Sequence, residues 1–145
     1  MSEQNRKMAA GFFNAVWALL DKPGRSREED LQMVHLAHAS RAHWQVAGGK
    51  REWAIGEWQS ARVYAVLGRA EPALFHAKAA LALTEDGALR PFLHGCAEEV
   101  MARACQVAGD LVGATHHESQ ARAIAADLTD PEERELLLAD LNGER

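Results

Sequence analysis

Apolar residues recur every three or four positions in seven stretches of this chain, and polar residues fill the positions between them. In the first stretch, residues 3–20, one helical face carries Phe12, Phe13, Val16, Trp17 and Leu20. This spacing is typical of an amphipathic helix that buries one face. Alanine dominates the apolar residues, and the β-branched and aromatic residues that favour sheet are few. The pattern predicts an all-α fold of about seven helices.

Turn and capping residues set the helix limits. Ser26, followed three residues later by Glu29, forms a capping-box sequence, and Asp130 before a proline predicts another helix start. Gly48 and Gly49 end the second helix, where we expect a left-handed cap. The predicted helices cover about residues 3–20, 26–47, 50–67, 71–85, 91–108, 110–127 and 131–141. Because the connections are short, neighbouring helices should form antiparallel hairpins.

Residues 57–83 resemble residues 98–124 at an offset of 41 positions. Self-similarity at such a period indicates stacked supersecondary units. The recurring positions are mostly alanine and glycine, which let helices approach closely, but some are charged or polar. The matching pairs are Glu57 and Glu98, Ala61 and Ala102, Arg62 and Arg103, Val66 and Val107, Gly68 and Gly109, Ala73 and Ala114, His76 and His117, Ala80 and Ala121, and Ala82 and Ala123.

The repeat unit resembles the tetratricopeptide repeat (TPR) over residues 54–127. The matching positions are Ala61, Tyr64, Gly68, Ala73, Ala77 and Ala80 in the first copy, and Ala102, Cys105, Gly109, Ala114, Glu118 and Ala121 in the second. The chain departs from the family at Glu57 and Glu98, which stand where the family has tryptophan, and in its longer period. It is also similar to small bacterial TPR-like proteins without an assigned activity. The resemblance implies one domain, 1–145, with a degenerate hairpin 3–47, repeats 50–85 and 91–127, and a capping helix 131–141.

Charge and composition exclude some partners. A net charge of −5 argues against duplex nucleic acid or an anionic membrane as the main partner. The N-terminal segment has no apolar signal core, and no apolar run approaches the roughly 20 residues of a membrane span. We therefore expect a cytoplasmic protein. Cys96 and Cys105 lie on opposite faces of one predicted helix and should be two buried thiols. The four tryptophans should mostly lie in the core.

The TPR resemblance implies that the first helix of each hairpin lines a concave groove. Aligned positions place Arg62, Arg103, Trp58, Glu99 and Gln106 in that groove. Two guanidinium groups on helices about 8–10 Å apart suit a carboxylate or an acidic peptide. The leading hypothesis is therefore a non-catalytic module that binds a peptide or partner protein. An alternative is that a Glu99–Arg103 salt bridge and a Trp58–Arg62 cation–π contact occupy both arginines.

Two further functions stay open. His35 and His38 share a face of the second helix, and a metal site or enzyme could use them if the fold brought a carboxylate such as Glu57 or another histidine close. Buried, hydrogen-bonded histidines are the alternative interpretation. No cofactor is expected, because phosphate-binding loops and activated nucleophiles are lacking. The last hypothesis is a self-associating dimer that uses the first or last helix, with the terminal helix filling the groove.

Overall fold

A computed structural model describes residues 2–145, and these residues form seven α-helices and no strand. The all-α prediction is confirmed, and the helix ends lie within a few residues of the expected ones. The helices are α1 (Ser2–Leu20), α2 (Arg27–Ala47), α3 (Lys50–Val66), α4 (Ala70–Thr84), α5 (Pro91–Val107), α6 (Leu111–Asp127) and α7 (Pro131–Leu141).

The predicted caps form as the local sequence indicates. The Ser26 hydroxyl accepts a hydrogen bond from the Glu29 amide at 3.1 Å, and the Glu29 carboxylate accepts one from the Ser26 amide at 2.9 Å. The Asp130 carboxylate accepts from the Glu132 amide at 2.9 Å and starts α7. These side chains pair backbone amides that have no partner inside a helix.

The turn glycines fall into two kinds. Gly68 and Gly109, which are equivalent in the repeat, have φ values of 72° and 79°, the left-handed conformation that glycine adopts without a steric penalty. Gly48 does not form the expected left-handed cap, because its φ is −112°. A Cβ atom at Gly48 would lie 2.7 Å from the Cβ of Glu52, so close approach is what requires glycine there.

The helices pack as three antiparallel hairpins, α1–α2, α3–α4 and α5–α6, followed by α7. Helix α2 contacts α3, α4 contacts α5, and α7 packs on both α5 and α6. Helix α3 also contacts α1 and α5, so α1, α3 and α5 lie side by side. This order is the hairpin array that the 41-residue offset indicates, and it places the first helix of every hairpin on one face.

Alanine fills the contacts between hairpins. Ala61, Ala73, Ala77 and Ala104 are completely buried in one cluster, with Tyr64 packed against it. Small side chains at these positions let the backbones approach, and larger neighbours fill the remaining space. All four tryptophans are partly buried, and Trp58 packs against two of the core clusters. No helix within residues 2–145 is long and apolar enough to cross a membrane.

A candidate binding cleft lined by four helices

A cleft with a volume of about 650 Å³ is lined by α1, α3, α5 and α7. Each helix contributes a large apolar side chain, namely Phe13 and Trp17 from α1, Trp58 from α3, Phe92 from α5 and Leu136 from α7. Leu136 is 42% exposed. A concave, mainly apolar surface of this size is typical of ligand and peptide sites.

Charged residues of both signs line the same cleft. Arg51 and Arg90 stand near the starts of α3 and α5, and Glu132 and Glu133 stand in the first turn of α7. The Arg90 guanidinium donates to the Glu133 carboxylate at 2.9 Å. Asp130 also lines the cleft while capping α7. The apolar surface is thus bordered by basic residues from α3 and the start of α5 and by acidic residues at the start of α7.

A buried polar cluster centred on Asp140 of α7 adjoins the cleft. The side chain of Asp140 is 1% exposed, and its Oδ1 accepts a hydrogen bond from Nη1 of Arg62 at 3.0 Å. Arg62 lies 78 residues earlier in the chain, and its side chain is 5% exposed. Its Nη2 also donates to the main-chain oxygen of Arg145. Arg62 is therefore engaged within the protein and held in a buried ion pair.

Arg103 is engaged in the same region. Its Nε donates to both carboxylate oxygens of Glu99 at 2.7 Å. This is the Glu99–Arg103 salt bridge that the sequence offered as an alternative partner for Arg103. Nη2 of Arg103 donates to the main-chain oxygen of Asp140 at 2.8 Å. Burial raises the pKa of Glu99, and Arg103 opposes that rise. The two repeat-equivalent arginines thus converge, as the alignment suggests, but onto the C-terminal segment of this chain rather than onto an open groove.

The other residues assigned to the groove lie at its two ends. Trp58 lines the large cleft, and its ring stands 5.7 Å from that of Trp17. Instead of the Trp58–Arg62 contact weighed as an alternative, the Arg62 guanidinium lies over the Trp17 ring, 5.3 Å from its centroid. Gln106 is exposed and lines a smaller cleft of about 170 Å³ beside Arg103. Trp17, which also lines this cleft, lies outside the repeat, and the sequence alignment did not assign it to the groove.

Arg145 completes the cluster and was not singled out in the sequence. Its Nε and Nη2 contact the two carboxylate oxygens of Asp140 at 2.9 and 3.2 Å. Its guanidinium also lies over the Trp17 ring at 5.2 Å from the centroid. One indole ring and one carboxylate therefore hold two guanidinium groups, those of Arg62 and Arg145.

The histidines of α2 belong to a second polar cluster. His35 is exposed, whereas Nε2 of His38 lies 2.8 Å from the Tyr64 hydroxyl and its ring lies 5.2 Å from that of His76. Burial, and then the neighbouring His76, lower the pKa of His38. Within residues 2–145 no group of three or more histidine, cysteine, aspartate or glutamate side chains is arranged to hold a metal ion. His35 and His38 are thus not brought together with a third ligand.

The repeated histidines form equivalent interhelical contacts. Nδ1 of His76 lies 2.7 Å from the Glu57 carboxylate, and Nδ1 of His117 lies 2.6 Å from the Glu98 carboxylate. Each pair joins the first helix of a hairpin to the second. Burial acts to raise the pKa of Glu57, but His76 and Arg41 together hold it below the usual value. The 41-residue offset could have indicated these two contacts, because both the glutamate and the histidine recur in it.

The cysteines are buried and free, as expected. Cys96 is 6% exposed, and burial raises its pKa far above the normal range for a thiol. Burial also raises the pKa of Cys105. Because a protonated thiol is a poor nucleophile, these cysteines are suited to packing rather than to nucleophilic chemistry.

Comparison of the chain with protein-family models, with curated proteins and with solved structures finds no match.

Proposed function

We propose that this chain is a non-catalytic interaction module, a TPR-like helical array that holds a peptide segment of a partner protein in the cleft between α1, α3, α5 and α7. The cleft itself carries the proposal. Its volume of about 650 Å³ and its aromatic lining provide room for more than one large side chain. Aromatic residues in a well-packed pocket are typical anchor positions of protein interfaces.

In this proposal, the residues assigned from the sequence have different roles. Trp58 contacts the partner directly, because it lines the cleft. Arg62, Arg103 and Glu99 act indirectly, since their hydrogen bonds hold the end of α7 and residue 145 as one wall of the cleft. Gln106 borders the smaller cleft and extends the contact surface at that end.

Capture with a photoreactive cleft residue tests the proposal. The full chain, with a photoreactive amino acid in place of Ile55, which also lines the cleft, is used as bait in an extract of the native cell, and crosslinked peptides are identified by mass spectrometry. The variant Leu136→Glu should reduce capture by about tenfold, since it puts a charge where an apolar anchor would bind. Val112→Glu, at a site on α6 that is 84% exposed, is the matched control and should leave capture unchanged. Equal capture by wild type and both variants would contradict binding in the cleft.

Self-association is a second candidate, favoured by one exposed aromatic residue on α4, a different surface from the first or last helix that the sequence suggested. Phe75 on α4 is 68% exposed and borders a shallow depression together with Leu74 and Ala79. A large exposed aromatic side chain beside apolar neighbours is frequent at protein contacts. Light scattering on a dilution series should show a concentration-dependent dimer that Phe75→Glu removes and Val46→Glu retains. A wild-type protein that is monomeric throughout the series would exclude this candidate.

A further inference from the structure

We propose that the ring face of Trp17 and the carboxylate of Asp140 form a guanidinium seat, which Arg145 occupies in the isolated chain and an arginine of the partner peptide occupies in the complex. The inference deepens the proposed function and rests on it. It states which chemistry the partner must carry, namely an arginine beside a large apolar side chain. Arg145 then acts as an internal competitor for the partner.

The seat has the geometry that recognises a guanidinium group. Asp140 contacts Arg145 with both carboxylate oxygens, at 2.9 and 3.2 Å, which is the paired arrangement that suits the planar fork of arginine. The Trp17 ring lies 5.2 Å from the guanidinium carbon, within the range of cation–π attraction. An ammonium group could not make both contacts in the same way.

Solvent exposure distinguishes the exchangeable arginine from the fixed one. Both Arg62 and Arg145 contact Asp140 and Trp17, but the Arg62 side chain is 5% exposed and the Arg145 side chain is 33% exposed. Water and dissolved ions compete for a guanidinium group that reaches solvent, so its ion pair is weak. Arg62 therefore keeps Asp140 in place, while the side chain of Arg145 can leave.

The position of the seat connects it to the apolar cleft. Trp17 and Arg145 both line the cleft of about 650 Å³, together with Trp58, Phe92 and Leu136. A peptide that placed its own arginine on Trp17 would have the neighbouring side chain directed along this apolar lining. The partner segment therefore pairs an arginine with a large apolar or aromatic residue.

Charge favours a basic partner over an acidic one. Once Arg145 leaves, the cleft retains two basic residues, Arg51 and Arg90, against three acidic ones, Asp130, Glu132 and Glu133. The whole chain carries a net charge of −5, which attracts cations. The acidic peptide suggested by Arg62 and Arg103 is less favourable, because Asp140 and Glu99 already engage both arginines.

Two dipeptide probes and two variants of the full chain test the seat. The probes are acetyl-Phe-Arg-amide and its citrulline counterpart, which has a neutral urea of nearly the same shape. Binding is followed by the indole N–H signals in NMR spectra of isotope-labelled protein. Arg145→Gln removes the internal competitor and keeps the main chain. Arg69→Gln, which changes an exposed arginine just before α4 and away from the cleft, is the matched control.

We expect Arg145→Gln to bind the arginine probe about tenfold more tightly than wild type, as it should if Arg145 occupies the seat about nine-tenths of the time. The citrulline probe should bind this variant about tenfold more weakly than the arginine probe. Arg69→Gln should match wild type. Equal affinity of Arg145→Gln for both probes, or no binding of the arginine probe, would overturn the seat. The proposed function fails separately, through unchanged capture by Leu136→Glu.

Discussion

Replacing Asp140 by alanine should destabilise the protein strongly. The change removes the carboxylate that pairs with Arg62, whose side chain is 5% exposed. An arginine that stays buried without its counterion retains the cost of desolvation and loses the compensating attraction. Arg145 loses the same partner, but it is 33% exposed and can turn into water. The cost therefore comes mainly from Arg62.

The magnitude follows from what Arg62 retains. Removal of one partner from a buried ion pair costs about 3–5 kcal/mol. Arg62 keeps its hydrogen bond to the main-chain oxygen of Arg145 and its position over Trp17, so we expect the lower end, about 3 kcal/mol. Asp140→Asn keeps an acceptor of similar shape and should cost about 1–2 kcal/mol.

Urea unfolding followed by far-ultraviolet circular dichroism measures the effect, with linear extrapolation to water. Asp86→Ala is the control, because Asp86 is 53% exposed and pairs with Lys50 at the surface, and it should change the stability far less than Asp140→Ala does. The double variant Arg62→Met with Asp140→Leu should recover most of the loss, since neither charge is then buried. A loss below about 1 kcal/mol for Asp140→Ala would refute the reasoning, because that is the range of a surface pair.

Three other outcomes are expected. The pKa of His38 is lowered in the folded protein, so near the usual pKa of 6.5 the unfolded chain binds more protons than the folded one. The free energy of unfolding should therefore rise with pH through that region. Unfolding experiments at a series of pH values should show that His38→Gln flattens this rise. Cys96 and Cys105 should not react with a thiol reagent in the native protein and should both react in denaturant, whereas fast native labelling would contradict their burial. Gly68→Ala should lower the free energy of unfolding by about 1 kcal/mol, because φ is positive at that position. Gly11→Ala should raise it by up to about 1 kcal/mol, because Gly11 lies within α1 and a Cβ atom there would meet open space. Thermal melts in which both variants shifted stability in the same direction would be inconsistent with the turn assignment.

The helices and their ends could be predicted because their causes are local. A serine cap and its glutamate lie three residues apart at Ser26, and the turn at Gly68 needs one residue that accepts positive φ. The order of hairpins followed from the offset of 41 residues and the short connections. The Glu57–His76 and Glu98–His117 pairs were within reach of the same argument, since their members recur 19 residues apart in both copies.

The partners of Arg62 were beyond sequence reasoning for a physical reason. Its carboxylate partner, Asp140, lies 78 residues away on a helix outside the repeat, and Trp17 lies on a helix before it. Which side chains meet across the concave face depends on how far successive hairpins rotate as they stack, and that rotation is the sum of many small packing contacts. The residue pattern alone predicted the seven helices, most of their ends, and the equivalence of Arg62 and Arg103 in the repeat. Only the tertiary structure decided that those arginines hold the C-terminal segment, and that Trp17, Asp140 and Arg145 meet beside an apolar cleft.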